Sequence, residues 1–285
     1  MVNEHRISQL LDEARYYEDH HMWLHAVQIY QRLIHEHPED WNHRLRLGNI
    51  YLEMGNLQAA EQVLLQALRS DAKNPDVLYA LGLASYQAGD LDRALYYLLQ
   101  LAGKRLPKAH YSLGLIYWRR AEYAHAERHF ALALELDPAS ADYAVALGDT
   151  LVRNSKTQDA VTVLRRAAMQ APGDSLIEQS LAQALVADGQ GSAAVPVLEA
   201  LLERNPDDRD GAHTLAAVLI TLGRIDDAES LLKRIVREYP NDARPMSLLG
   251  RLFLLKANRE RAEHWFRNAL EIDPDNEEAL EQIRY

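Results

Sequence analysis

Histidine is the residue type in this sequence that most invites a chemical reading. Seven of its twelve histidines fall early, at His5, His20, His21, His25, His35, His37 and His43. His21 and His25 stand four apart, as do His125 and His129. That interval lets two imidazoles share one face of a helix, as metal-binding helices require. A metal centre also asks for three or four ligands and groups that orient them. The His21–His25 interval moreover crosses a predicted turn. The expectation is exposed histidines on polar helix surfaces, with no metal and no cofactor.

Other chemistry finds less support. Cysteine is absent, which excludes disulfides, thiolate nucleophiles and zinc–thiolate sites. There is no phosphate-cradling Gly-x₄-Gly-Lys-Ser/Thr loop, no Gly-x-Ser-x-Gly elbow and no His-Glu-x₂-His. Gly189-Gln190-Gly191 is an isolated pair, far short of a dinucleotide fingerprint. Carboxylates are abundant, but their spacing assigns them to solvated helix faces. No catalytic residue is proposed, and the chain is read as a non-enzyme.

The composition agrees. A formal net charge of −11 without a polybasic tract lacks the footprint of a nucleic-acid binder. No apolar run approaches a membrane span, and the charged start lacks the form of a secretory signal. A cytoplasmic protein without membrane insertion is expected. Hydrophobic residues make up 48% and aromatics only 7%, a balance that favours helices over sheets.

The elements that would carry any site follow from one period. Ala26, Ala60, Ala94, Ala126, Ala160, Ala194, Ala228 and Ala262 are spaced by 34 residues, except for one interval of 32. Twelve residues before each stands a second small residue: Ala14, Gly48, Gly82, Gly114, Gly148, Ala182, Ala216 and Gly250. Twelve residues after it, six units carry proline, from Pro38 to Pro274. Each unit reads as two antiparallel helices. The two small residues mark where the backbones approach, and the proline stops the second helix. Gly55, Gly89 and Gly223 sit where the first helix should end in the left-handed region.

These residues resemble the tetratricopeptide repeat family, whose period is 34 and whose pattern is W-x₂-L-G-x₂-Y…A-x₃-F…P. Leu113, Gly114, Tyr117, Ala126, Phe130 and Pro138 follow that pattern closely, as do Leu249, Gly250, Ala262, Phe266 and Pro274. The resemblance covers residues 7–276. It implies an all-α, right-handed superhelical solenoid of eight helix-turn-helix repeats, at about 7–40, 41–74, 75–106, 107–140, 141–174, 175–208, 209–242 and 243–276. A short capping helix over 277–285 would follow, with Leu280 and Ile283 inward. Glu13 replaces the usual leucine in the first repeat. The third repeat is two residues short, and its second helix should stop at Gly103. Pro196 should lie near enough to a helix start to be tolerated.

The resemblance also implies a concave groove, lined by the first helices, that holds a segment of a partner protein. The candidate contact positions lie fifteen, eleven and eight residues before each alanine. They are polar at the ends of the array, with Gln179, Gln183, His213 and Ser247 late, and aromatic in the middle. The expected partner-binding residues are Asn49, Tyr79, Leu83, Tyr86, Tyr111, Leu115, Trp118, Arg119, Val152 and Arg153. The lysine, asparagine and arginine clamp of chaperone-binding relatives is missing: its places hold Leu11, Arg15, Arg46, Asp76 and Ala80. Two functions compete: an interaction scaffold, and a homo-oligomer built through the solenoid's ends. Against the second, the first repeat carries a charge of −5 and the last +1 before an acidic tail, so the ends look protected.

Overall fold

The structure is a computed structural model that describes residues 2–283, with side chains over 5–283. The described residues form seventeen α-helices and no strand. They divide into two compact units, Met1–Asp137 and Pro138–Tyr285. The first unit holds four helical hairpins. These are α1 (Val2–Asp19) with α2 (Trp23–Glu36), α3 (Trp41–Glu53) with α4 (Leu57–Ser70), α5 (Pro75–Gln87) with α6 (Leu91–Leu99), and α7 (Pro107–Arg119) with α8 (Tyr123–Leu136). The second holds α9 (Ala141–Arg153) with α10 (Thr157–Gln170), and α11 (Ser175–Ala187) with α12 (Gly191–Arg204). It continues with α13 (Arg209–Thr221) and α14 (Ile225–Glu238), α15 (Ala243–Leu255) and α16 (Arg259–Ile272), and ends in α17 (Glu277–Ile283). No described helix is long and apolar enough to cross a membrane.

The repeat pattern has a packing cause that the sequence reading identifies only in part. All eight period alanines are fully buried. The small residue of the first helix, however, chiefly accommodates the side chain four residues beyond that alanine. A Cβ on Gly48 would lie 2.5 Å from Leu64, one on Gly114 2.5 Å from Phe130, and one on Gly250 2.5 Å from Phe266. Gly82 and Gly148 meet Leu98 and Leu164 in the same way. In the other three repeats alanine takes the place of that glycine, and Tyr30, Leu198 and Leu232, sixteen residues on, are buried too. A large side chain thus lies across a bare stretch of helix in the five hairpins that carry the glycine.

The turns inside the hairpins are uniform. Residues His21, Gly55, Gly89, Ala121, Ser155, Gly189, Gly223 and Ala257 all have positive φ, between 54° and 81°. The next N–H reaches back five residues in each case, as in Asn56 to the Tyr51 carbonyl at 2.8 Å and Asn258 to Phe253 at 2.9 Å. This is the Schellman closure, which satisfies the last carbonyls of the first helix. Four of the eight positions are not glycine and pay the left-handed penalty. Ala257→Gly should therefore stabilise the second unit by about 0.5–1 kcal/mol, after the extra unfolded-state entropy of glycine is subtracted. A denaturant midpoint that does not rise would contradict this.

Side-chain caps start many of the helices. Asp40, Asn74, Ser140, Asp174, Asp208 and Asp242 each accept a backbone N–H at the start of a first helix. Three details depart from the sequence reading. Helix α6 ends at Leu99, four residues before Gly103, and has 9 residues where the other second helices have 14. The turn that follows buries Leu101 completely. Pro196 is the sixth residue of α12, beyond its first turn, and the helix runs on through it. In α17, Leu280 and Ile283 are half-buried and Ala279 is the fully buried residue. Residues 284 and 285 of the expected cap lie outside the described residues.

Candidate functional site

The first helices of the first unit present a cleft of about 550 Å³ between α3 and α5. Its positions follow from helix geometry. Leu45, Asn49 and Leu52 recur at intervals of four and three on α3, and so share one face. Tyr79 and Leu83 occupy the corresponding face of α5. Ala80 completes an apolar floor. Polar groups flank it: Asn42, Arg46 and Glu53 from α3, Asp76 and Gln87 from α5, and Lys108 from the start of α7.

Lys108 is tied into this wall. Its Nζ lies 4.6 Å above the Tyr79 ring and 3.6 Å from Asp76. The ammonium thus holds the ring by cation–π attraction and neutralises the carboxylate beside it. Ser112 donates a long hydrogen bond, 3.5 Å, to the Tyr79 hydroxyl. Arg46, Asn49, Glu53 and Gln87 are exposed. Among the described residues their side chains have no hydrogen-bond or ion-pair partner. The cleft therefore offers a fixed apolar floor with donors and acceptors available along its rim.

Three of the residues expected from sequence, Asn49, Tyr79 and Leu83, come together here. The other expected residues of this unit lie outside the cleft. Tyr86 is half-buried beneath the Arg119 guanidinium, 5.3 Å from its ring centre. Tyr111 packs on Phe130 at 5.6 Å. Leu115 is half-buried. Trp118 is 39% exposed and meets Tyr123 edge to face at 6.4 Å. Val152 and Arg153 belong to α9 of the second unit, half-buried and exposed respectively. Asn42, Ala80 and Gln87 line the cleft without having been expected there. Their signal was one helical turn away: each stands three or four residues from a candidate position on the same face.

In the second unit three of the four polar candidates lie against the scaffold, while Gln183 is exposed and has no partner among the described residues. Gln179 donates to both carboxylate oxygens of Asp208, at 2.8 and 2.7 Å. Ser247 donates to the side chain of Asn276 at 2.9 Å. His213 lies 3.3 Å from Asp242. Each joins a first helix to the residue that caps the next one, 29 positions on. Gln179 and Ser247 thereby tie consecutive repeats together by hydrogen bonds. His213 is the least comfortable of the three. It is 8% exposed, and its ring is poorly aligned with Asp242, so neither nitrogen makes a hydrogen bond. Burial, with Arg244 nearby, holds its pKa below the usual imidazole value, and Asp242 and Asp210 offset this in part.

The histidine pairs take structural places. The His21 ring turns to Trp23 and the His25 ring stacks on Tyr17 at 4.9 Å, so the pair diverges across the turn. His125 and His129 both stack against Tyr117. Their neighbour His110 is buried and places its Nδ1 3.2 Å from Nδ1 of His129, one ring donating to the other. Burial drives the His129 pKa down to about 4, helped by His110 and His125. No group of three or more His, Cys, Asp or Glu among the described residues is placed to hold a metal ion.

Comparison with known proteins agrees with this geometry. Models of the tetratricopeptide repeat match residues 11–75, 45–110, 107–140, 185–252 and 243–276. No curated protein matches the chain. Among solved structures, a tetratricopeptide repeat protein from Parabacteroides merdae is 17% identical, with a TM-score of 0.58 over 98% of this chain and 97% of its own. The C-terminal part of a repeat protein from Cytophaga hutchinsonii is 15% identical, with a TM-score of 0.66 over 85% of this chain and 100% of its own. YrrB, described as having an unusual peptide-binding site, is 22% identical, with a TM-score of 0.50 over 68% of this chain and 98% of its own. At these identities the structural likeness speaks for the fold.

Proposed function

The chain belongs to the tetratricopeptide repeat family, whose members generally mediate protein–protein interactions and are generally non-catalytic, and from that premise we propose that it binds a partner protein through the cleft between α3 and α5. The observation that carries this reading is the cleft of the first unit, where unpaired polar side chains stand over an apolar floor. In the second unit Gln179 and Ser247 are hydrogen-bonded to neighbouring repeats and His213 is buried against Asp242, which leaves Gln183 as the exposed polar candidate. In the first unit Arg46, Asn49, Glu53 and Gln87 stand unpaired along an apolar floor, beside the Lys108–Asp76 pair. An exposed amide has one donor group and one acceptor, and so suits the backbone of an incoming segment. Tyr79 and Leu83 supply apolar surface beneath it, and Tyr79 has the aromatic character of an interface anchor. Trp118, Tyr86, Tyr111, Leu115, Arg119, Val152 and Arg153 would then act outside the primary contact or within the scaffold.

Peptides selected against the purified protein from a random display library provide the test. Leu83→Asp puts a charge on the half-buried floor and should weaken the selected peptides at least ten-fold, about 1.4 kcal/mol or more. Trp118→Ala should change their affinity little. Equal binding to wild type and Leu83→Asp, or loss confined to Trp118→Ala, would refute the assignment.

A further inference from the structure

Within that reading, we infer that the segment the cleft receives carries one acidic and one basic residue about 10 Å apart, the acid meeting Arg46 and the base meeting Glu53. The inference rests on the cleft being the binding site, and adds the charge pattern of its occupant. Arg46 and Glu53 are seven residues apart on α3, which places them on one face and about 10 Å apart along the axis. Both line the cleft, and among the described residues neither makes an ion pair. The remaining charges of the lining cancel, since Lys108 and Asp76 pair with each other at 3.6 Å. On α1, Glu18 accepts the Tyr30 hydroxyl at 2.5 Å and keeps its charge; Arg46 acts on that hydroxyl from a distance but makes no ion pair with Glu18 among the described residues. The cleft is thus polarised, with a surplus cation toward one end and a surplus anion at the other.

Glu53 gives a second, independent reason. It is the last residue of α3, where the helix dipole is already negative and a basic side chain would be favoured. No neighbour compensates it. Its placement is locally unfavourable, and a cation on a bound segment would relieve it. Asn49 stands between the two charges, over the apolar floor. In a polyproline II chain, side chains three positions apart share one face at about 9 Å, close to the spacing the rim requires. An acid-x-x-base stretch with apolar residues between therefore satisfies both ends and the floor together.

The test uses four labelled peptides in a common Gly/Ser frame, with cores Asp-Leu-Leu-Lys, Asp-Leu-Leu-Asp, Lys-Leu-Leu-Lys and Asn-Leu-Leu-Asn, titrated by fluorescence anisotropy. Wild type should bind the mixed-charge peptide roughly three- to ten-fold more tightly than the other three at low salt. Glu53→Arg should shift the preference to the diacidic peptide, and Arg46→Glu to the dibasic one. The exchange variant carrying both substitutions inverts the rim and should prefer a further peptide, with the reversed core Lys-Leu-Leu-Asp, over Asp-Leu-Leu-Lys. A neutral peptide binding as tightly as the mixed one, or a preference unmoved by Glu53→Arg, overturns the charge pattern while leaving the cleft standing. Undiminished binding of all four by Leu83→Asp overturns the cleft itself, and failure of every peptide to saturate overturns both.

Discussion

Phe130→Ala should cost the first unit about 3–5 kcal/mol, the range for truncating a buried aromatic. Phe130 is 1% exposed, and its ring lies across Gly114, where a Cβ would sit 2.5 Å from the ring carbons. The two residues form one interlock, so each substitution fails for the opposite reason. Gly114→Leu overfills the gap and should cost about 1–3 kcal/mol or more. Combined, the added leucine occupies part of the vacated space, so the double variant should be more stable than the sum of the two losses implies. Repeat arrays need not unfold in one step. Amide hydrogen exchange over α7 and α8 is therefore the suitable readout. Strict additivity, or a Phe130→Ala cost below 1 kcal/mol, would show that this ring does not hold the hairpin together.

The second large effect is acid sensitivity between pH 6.5 and 4. An imidazole in the unfolded chain takes up its proton near pH 6.5, whereas His129 in the folded chain does so only near 4. The folded state therefore binds fewer protons in that window. Its stability is fully present above 6.5 and falls as the pH drops toward 4. Allowing for partial solvent screening, the loss through His129 is on the order of 1–2 kcal/mol. His110 and His213, both held low chiefly by burial, add in the same direction. Carboxylates act later. Asp210 is held low by its hydrogen bond from Arg244, and Glu229 by those from Lys233 and Lys256, so their contribution is lost only below about pH 4.5. The double variant His110→Leu, His129→Phe keeps the packing on Tyr117 and removes both titrating rings. It should flatten the pH dependence of α7–α8 exchange between 6.5 and 4.5, leaving in the rest of the chain the parts due to His43 on α3 and His213 on α13, both held low chiefly by burial. An unchanged slope would show that the buried pair is not its source.

Much of the fold was legible because its determinants are local and repeated. The alanines and the small residues twelve positions before them recur in all eight units and the proline in six, with a single two-residue shortening, and every hairpin buries its alanine completely. The glycine–side chain interlock was less legible, since the partner of Gly114 is Phe130 and not Ala126, a choice made by how far a side chain leans along its helix. The turn positions were visible where glycine occupies them. They were hidden at His21, Ala121, Ser155 and Ala257, where the turn closure imposes the left-handed conformation on residues that do not favour it. The site was legible only by position. Sequence spacing identified the face that Asn49, Tyr79 and Leu83 share, but not that Lys108 folds over Tyr79. Nor could it distinguish a free polar side chain such as Asn49 from a tied one such as Gln179, because the partner Asp208 is 29 residues away and belongs to the next repeat. Counting aromatics drew attention to Trp118, whose ring leans on Tyr123 outside the cleft.

The most direct test of the central claim is site-specific photo-crosslinking in the cells that make the protein. A photoreactive amino acid at Asn49 reports on the cleft, and one at Gln62, exposed on α4, reports on a surface outside it. Asn49 should yield one dominant protein adduct that Gln62 does not, and Leu83→Asp in the same chain should abolish it. Identical adducts from both positions, or an Asn49 adduct that survives Leu83→Asp, would contradict a partner seated between α3 and α5.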